Sequence, residues 1–160
     1  MKRRIIMTDI ISQLNTISLI NTYKTHDLLD KVLAILSINF PTNEIRFDNE
    51  RVAFVTEVEG FTFITQRDLN TFTVVSRVVT GNDLIAECTV DIEGRFKETY
   101  GRMSNKDLKA KISTWFTEVG NIDVTTLQSE DPAEAEQNVP EENAESEKED
   151  EIQTVTAVAE

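Results

Sequence analysis

Between residues 8 and 40, apolar side chains recur at intervals of three and four positions, the spacing of an amphipathic helix. In TDIISQLNTISLINTY, where Thr8 or Asp9 can cap the first turn, the apolar stripe comprises Ile10, Ile11, Leu14 and Ile17. Thr and Asn are frequent here, so this helix should depend on packing rather than on intrinsic propensity. The segment HDLLDKVLAILSINF predicts a second helix that Asn39 and Pro41 end. The pattern therefore predicts two N-terminal helices.

From Asn43 onward the hydrophobic period changes to two, which is typical of β-strands. The segments rich in β-branched and aromatic residues are EIRF, RVAFVTEV, FTFITQ, TFTVVSRVV, LIAECTVDIE and RFKETY. Connections of two to four residues force neighbouring strands to run antiparallel, so we predict a meander of five to six strands. The fifth segment should place one alternating set of side chains on the buried face: Leu84, Ala86, Cys88, Val90 and Ile92.

The last helix has the most regular pattern in the chain. Ser104 and Asp107 resemble a capping box in which Asp replaces the usual Glu or Gln, and Gly120 should end the helix. The continuous apolar stripe comprises Leu108, Ile112, Trp115, Phe116 and Val119. We therefore expect an α+β fold with two N-terminal helices, an antiparallel meander of five to six strands and one C-terminal helix packed on the sheet.

Charge divides the chain at about residue 125. Residues 1–125 hold 15 basic and 17 acidic side chains, a net charge of −2, whereas residues 126–160 hold one Lys and 12 acidic side chains, a net charge of −11. The acidic segment has no aromatic residue, so it cannot bury enough apolar surface to offset its conformational entropy. We predict a single α+β domain over residues 1–125 and a disordered acidic tail over residues 126–160, whose end, IQTVTAVAE, is β-prone enough to dock on a sheet edge.

Cysteine content and the N-terminus indicate a cytoplasmic protein. Cys88 is the single cysteine, so neither an intrachain disulfide nor a cysteine-based metal cluster can form. The opening MKRRIIMTD lacks the apolar core of a signal peptide, and Met7 is an alternative start. No window reaches the ~18 apolar residues of a membrane span.

The candidate catalytic residues each have a simpler structural explanation. His26 is typical of an exposed residue at a helix start, and Cys88 of a core thiol with little reactivity. The carboxylate pairs, Glu57 with Glu59 and Asp91 with Glu93, lie near predicted turns, where solvated carboxylates are common. The glycines match no phosphate-binding loop. We therefore expect no enzymatic activity, no cofactor and no metal.

A basic segment is the strongest candidate for a binding site. Residues 95–111 hold six basic and two acidic side chains, a net charge of +4. Cations that follow phosphates, next to rings on which bases stack, are typical of single-stranded nucleic-acid surfaces. The candidate contacts are Arg95, Lys97, Tyr100, Arg102, Lys106 and Lys109. The alternative explanation is a solvated strand and helix edge with Phe96 in the core.

The segment LIAECTVDIEGRFKETYGRMSNKDLKAKISTWF resembles the closing strand–helix part of the YbjN and secretion-chaperone-like domains, which are protein-binding modules. In those families a further helix interrupts the strands. Here FITQRDLNTFTVV leads from strand to strand with no room for one, so we transfer no residue roles from the resemblance.

These patterns favour a non-enzymatic binding or adaptor protein whose acidic tail gives solubility and recruits partners. The composition would suit a viral or mobile-element accessory protein. The alternative is a single-stranded nucleic-acid-binding accessory protein whose tail competes for the basic segment, and a third class is an inhibitor whose tail occupies a basic site on an enzyme. A protein partner is expected, a membrane partner is not, and an exposed sheet edge would allow a homodimer.

Overall fold

The computed structural model describes the backbone of residues 2–130 and the side chains of residues 10–130. Its elements are α1 (Lys2–Asn39), β1 (Arg46–Asp48), β2 (Ala53–Val58), β3 (Phe61–Asp68), β4 (Thr73–Thr80), β5 (Asp83–Asp91), β6 (Phe96–Tyr100), α2 (Lys106–Gly120) and a 3₁₀ turn (Val124–Thr126). The predicted α+β class and antiparallel sheet are confirmed.

The prediction of two N-terminal helices is wrong, because α1 runs unbroken from Lys2 to Asn39. The expected break at NTYKTH contains neither Pro nor Gly, and its Thr and Asn residues cost only tenths of a kcal/mol each in a helix. Thr22 and Thr25 also donate their hydroxyls to the carbonyls of Ser18 and Asn21, one turn earlier, at 2.9 and 2.7 Å. The polar residues are therefore accommodated inside the helix.

The sheet follows the chain in the order β1-β2-β3-β4-β5-β6, with every neighbouring pair antiparallel. Register divides its side chains between two faces. The helix-covered face packs beneath α1 and α2 and includes Phe63, Val74, Val78, Cys88 and Val90, which belong to the main core cluster. We call the opposite side the open face.

Trp115 is at the centre of the core. Its ring is fully buried and stacks on Phe63, with ring centroids 5.6 Å apart and planes inclined by 8°. Its indole N–H donates to the Val32 carbonyl in α1 at 3.4 Å, so one side chain joins both helices to the sheet. The predicted α2 stripe is confirmed, since all five of its apolar residues are buried.

A β-bulge corrects the predicted burial of Leu84. Val78 pairs with Ala86 while Val79 pairs with Leu84, so Ile85 is an extra residue in β5. An extra residue reverses the side-chain alternation that precedes it. Leu84 therefore lies on the open face and is 51% exposed, whereas Ala86, Cys88 and Val90 are buried as predicted.

The caps of α2 differ by one residue from the sequence-based expectation. Asn105, not Ser104, is the N-cap, and its side-chain oxygen accepts from the Leu108 N–H at 3.1 Å. Gly120 is the last helical residue rather than a left-handed cap. A Cβ there would lie 3.0 Å from the Phe96 ring, so any larger residue would need the ring to shift between α2 and β6.

Ordered structure continues past residue 125. Leu127 belongs to the core and is 6% exposed, and the Gln128 N–H donates to Asp27 Oδ2 at 2.8 Å. The predicted disorder of the acidic tail concerns residues 131–160, which lie outside the described residues. Within residues 2–130, neither helix combines the length and apolar character that crossing a membrane requires.

Candidate functional site

The open face carries apolar side chains where a solvated face should be polar. In an antiparallel sheet with helices on one side, the other side usually alternates to polar residues. Here the apolar set, which we call the open-face cluster, comprises Val55, Ile64, Val75, Val79 and Leu84. None of them belongs to the core beneath the helices or packs against it. Within residues 2–130, Ile64, Val75, Val79 and Leu84 of this cluster remain partly or largely exposed.

Ile64 is at the centre of the open-face cluster. It pairs directly with Val55 on β2 and lies diagonally across from Val75 and Val79 on β4, because its direct partner there is Arg77. Diagonal neighbours on one sheet face are close enough for large side chains to touch. Val55 is fully buried, whereas Ile64, Val75 and Val79 are partly exposed, so the cluster is closed on its β2 side and accessible over β3 and β4.

Ion pairs neutralise the charges that surround the cluster. Arg77 Nε lies 2.7 Å from Glu87 Oε2, on neighbouring strands, and the two side chains are 38% and 29% exposed. Arg46 Nη2 lies 3.9 Å from Glu57 Oε1, which places a second, looser pair beside Val55. The open face therefore combines apolar side chains with internally paired charges and has little net charge of its own.

The fold distributes the basic segment over four places. Arg95 lies in the β5–β6 turn, and Lys97 on β6 pairs with Thr89, which places it on the open face. Arg102 follows β6. Lys106 and Lys109 lie on exposed positions of α2, the helix that packs on the opposite side of the sheet.

Arg95 is held by acidic side chains of its own turn. Its Nε lies 2.7 Å from Asp91 Oδ2 and its Nη2 lies 3.1 Å from Glu93 Oε2. Burial opposes ionisation of Asp91, but hydrogen bonds from the Arg95 side chain and from two backbone N–H groups outweigh it and lower the pKa of Asp91. A groove of about 440 Å³ lies beside this turn, lined by Thr73, Thr89, Asp91, Arg95, Phe96 and Lys97.

Tyr100 faces α2 rather than Lys97. Its ring centroid lies 5.7 Å from that of Phe116, and its hydroxyl donates to Glu98 Oε2 at 2.8 Å. Burial and the Glu98 carboxylate raise the pKa of Tyr100 to about 12. The structure therefore separates the ring from the cation that precedes it in the segment.

The candidate catalytic residues lie apart. Cys88 is 1% exposed, and burial together with the Glu98 carboxylate raises the pKa of its thiol to about 12, so its expected core position is confirmed. His26 lies inside α1, where Arg67 Nη1 hydrogen-bonds to its Nδ1. Glu57 accepts from the Thr62 hydroxyl. Among the described side chains, no group of three or more His, Cys, Asp or Glu is placed to share a metal ion.

Comparison with protein-family models, with curated proteins and with solved structures gives no significant match. The geometry of the described surfaces is therefore the basis for functional inference, and the resemblance of the strand–helix segment to chaperone-like domains has no support from a family match.

The sequence reading missed the open-face cluster, although TFTVVSRVV contains a signal for it. Val74 and Val78 lie on the helix-covered face, whereas Val75 and Val79 lie on the open face. Paired valines on a strand place apolar side chains on both faces, and a strand of that kind is normally covered on both sides.

Proposed function

We propose that this chain is a non-enzymatic binding protein that docks a protein partner on its open face. The observation that supports this proposal is the open-face cluster, in which four of the five apolar side chains are accessible on the side of the sheet opposite the helix-covered face. Contiguous apolar surface of this kind marks interaction sites more often than it marks ordinary solvated surface.

The charge distribution favours a protein over a nucleic acid as the partner of this face. Phosphate binding requires cations that are free to replace counterions. On the open face Arg77 is paired with Glu87 and Arg46 with Glu57, which leaves Lys97 at the border. A largely neutral, partly apolar surface matches the centre of a protein–protein interface, where charged residues are depleted. The acidic residues 126–160 would recruit the partner through its basic groups and keep the chain soluble.

Ile64→Lys tests this proposal because it places a charge at the centre of the cluster. Tagged wild-type and variant chains are used to capture proteins from cells that express the chain naturally, and the captured sets are compared. The matched control is Leu69→Lys, since Leu69 is 40% exposed in the β3–β4 turn, away from the cluster. Fluorescence of Trp115, the single tryptophan, checks that both variants remain folded.

The expected result is loss of at least one partner by Ile64→Lys and its retention by Leu69→Lys. The retained partner should then bind the purified wild-type chain directly in a titration. Identical captured sets for all three chains would overturn the role of the open face.

A second candidate function, single-stranded nucleic-acid binding, is favoured by one observation. Five basic side chains of the segment 95–111 have no ion-pair partner among residues 10–130: Lys97, Arg102, Lys106, Lys109 and Lys111. Unpaired cations are free to follow a phosphate backbone. The tethered acidic segment would compete with nucleic acid for them at an effective concentration on the order of millimolar.

Fluorescence anisotropy of labelled single-stranded DNA tests the second candidate with the full chain and a chain that ends at Glu130. Glu130 is the right end point, because Leu127 and Gln128 belong to the folded domain. Binding that tightens on truncation, weakens with salt and is lost in Lys106→Ala/Lys109→Ala would support it. Absence of binding by either chain at low salt would exclude it without affecting the protein-binding proposal.

A further inference from the structure

The N-terminal part of α1 extends beyond the domain. Every side chain from residue 10 to residue 19 is exposed, whereas residues 20–24 are partly buried and full burial begins at Thr25 and continues through Leu28, Val32 and Leu36. We call residues 10–19 the α1 arm. It is rich in Ile, Thr, Ser and Asn, which have only moderate helix propensity, and helices of such composition are stabilised mainly by packing of an apolar face.

The apolar residues of the α1 arm follow the spacing of a coiled-coil seam. Ile10, Leu14 and Ile17 are separated by four and three positions and are 49%, 60% and 54% exposed. Met7 extends the same spacing toward the N-terminus in the sequence. Alternating steps of three and four are the pattern with which a helix packs against another helix.

The seam lies on the same side of α1 as the residues that pack on the domain in the C-terminal part of the helix. Ile10 and Leu28 are 18 positions apart, which at about 3.6 residues per turn is five full turns. The apolar face that packs on the sheet and α2 at Leu28 therefore continues along the α1 arm, with no described element to cover it there.

The charge of the α1 arm favours a second copy of the chain as its partner. Residues 10–23 contain no charged side chain, although the whole chain has a net charge of −13. A partner recognised through its charge would need complementary groups on the α1 arm. Two copies of this acidic chain, by contrast, repel each other least where they meet through an uncharged surface.

We propose that two copies of this chain associate through their α1 arms as an antiparallel helix pair. In antiparallel packing the two kinds of seam position face each other, so Ile10 of each copy would pack against Leu14 of the other. Ile17 would lie opposite position 7, which is Met in the sequence. The two-fold axis then passes near Ser12. The apolar part of the pair ends at the layer of Ile17, because the next layer would place Asn21 opposite Arg3. The partner helix begins opposite residue 22, before Thr25 enters the domain.

A parallel pair does not fit the same surface. A partner helix running in the same direction would continue past residue 24 into the space where α2 and the sheet pack on Leu28 and Val32. The antiparallel arrangement instead places the two Thr25 positions about 40 Å apart along the helices, from the ~1.5 Å rise per residue. That distance exceeds the Debye length at physiological salt several-fold, so repulsion between the domains is screened.

Sedimentation velocity over a range of protein concentrations tests the association. Because the seam is short, the wild-type chain should change from monomer to dimer as concentration rises through the micromolar range. Leu14→Asp should weaken dimerisation at least about tenfold. The matched control is Leu19→Asp, which adds the same charge at a similarly exposed position, 51%, on the opposite side of the helix, and should leave dimerisation unchanged.

Disulfide trapping tests the antiparallel orientation. Ile10→Cys in the full chain is mixed with Leu14→Cys in a chain ending at Glu130, so that a mixed dimer has its own mobility under oxidation. Antiparallel packing predicts the mixed dimer, whereas parallel packing predicts that each variant links to itself. The wild-type chain controls for Cys88, which is buried. A monomer at all concentrations, a larger oligomer, or self-linked products alone would overturn the proposal.

Discussion

Thr56 shows at the scale of a single residue where the fold loses stability. Its side chain is 1% exposed on the helix-covered face, and its hydroxyl has no hydrogen-bond partner among the described residues. The buried hydroxyls of Thr65 and Ser76, by contrast, are both satisfied, because they hydrogen-bond to each other at 3.1 Å. A buried polar atom is costly only when it lacks a partner.

Thr56→Val should therefore stabilise the protein by about 1 kcal/mol, since it replaces an unpaired hydroxyl with a methyl group of similar size. Thr65→Val is the matched control and should destabilise by about 1 kcal/mol, because it removes the partner of the Ser76 hydroxyl. Urea unfolding followed by Trp115 fluorescence measures both changes. Destabilisation by Thr56→Val would show that its hydroxyl is in fact satisfied.

His26 supplies a second residue-scale prediction because it is the single histidine. Partial burial, and then the positive charge of Arg67, lower the pKa of His26 below 6.5. The unfolded chain therefore takes up this proton first as the pH falls. His26 therefore has its full stabilising effect on the folded state above pH 6.5. This effect is lost as the pH falls from 6.5 to the pKa of His26 in the folded state.

An NMR titration of the His26 ring protons should give a midpoint below 6.5 in the wild-type chain. Arg67→Gln should raise the midpoint, because it removes the nearby positive charge, while Arg102→Gln, beyond β6 at the other end of the sheet, should leave it unchanged. A wild-type midpoint at or above 6.5 would contradict the observed contact between the two side chains.

At the scale of elements, the close contact between α2 and β6 depends on the absence of a side chain at Gly120. Gly120 lies in the last turn of α2, where Ala would normally be the better helix former. The Phe96 ring crowds the position at which a Cβ would lie, with its three nearest atoms 3.0–3.1 Å away. Packing therefore outweighs propensity at this position.

Gly120→Ala should destabilise the protein by roughly 1–3 kcal/mol, the usual cost of overpacking a close contact. Gly120→Ala combined with Phe96→Leu should cost less than the sum of the two single changes, since the smaller side chain relieves the contact. Thermal unfolding measures all three variants. Equal or greater stability of Gly120→Ala would show that the ring moves aside freely.

The sequence could predict the elements whose boundaries are marked by turn residues or by a change in the hydrophobic pattern. The six strands and α2 follow from alternation, turn residues and an apolar stripe. The continuous α1 did not follow, because polarity at NTYKTH suggested a break that only Pro or Gly would have enforced. The exposure of Leu84 depends on a bulge that register determines. The open-face cluster requires knowing that no helix covers the second face, and sequence does not supply that.

At the scale of the whole molecule, the folded domain extends further than charge alone suggested. A chain that ends at Thr125 loses Leu127 from the core and the hydrogen bond from the Gln128 N–H to Asp27. We expect it to be about 2 kcal/mol less stable than a chain ending at Glu130, mainly from the lost burial of one leucine. Urea unfolding of the two chains gives the difference. A full chain with Leu127→Ala should show most of it, and equal stabilities would place Leu127 outside the core.

The order of the strands also has a consequence for how the protein is made. Since every strand pairs with its neighbour in the chain, each hairpin can close as soon as it leaves the ribosome. The apolar side of that growing sheet cannot yet be covered by α2, because α2 is synthesised after all six strands. The helix α1 emerges first, and its residues Leu28, Val32 and Leu36 can shield the nascent strands until Trp115 arrives. The first helix is thus available to cover the strands before α2 is synthesised.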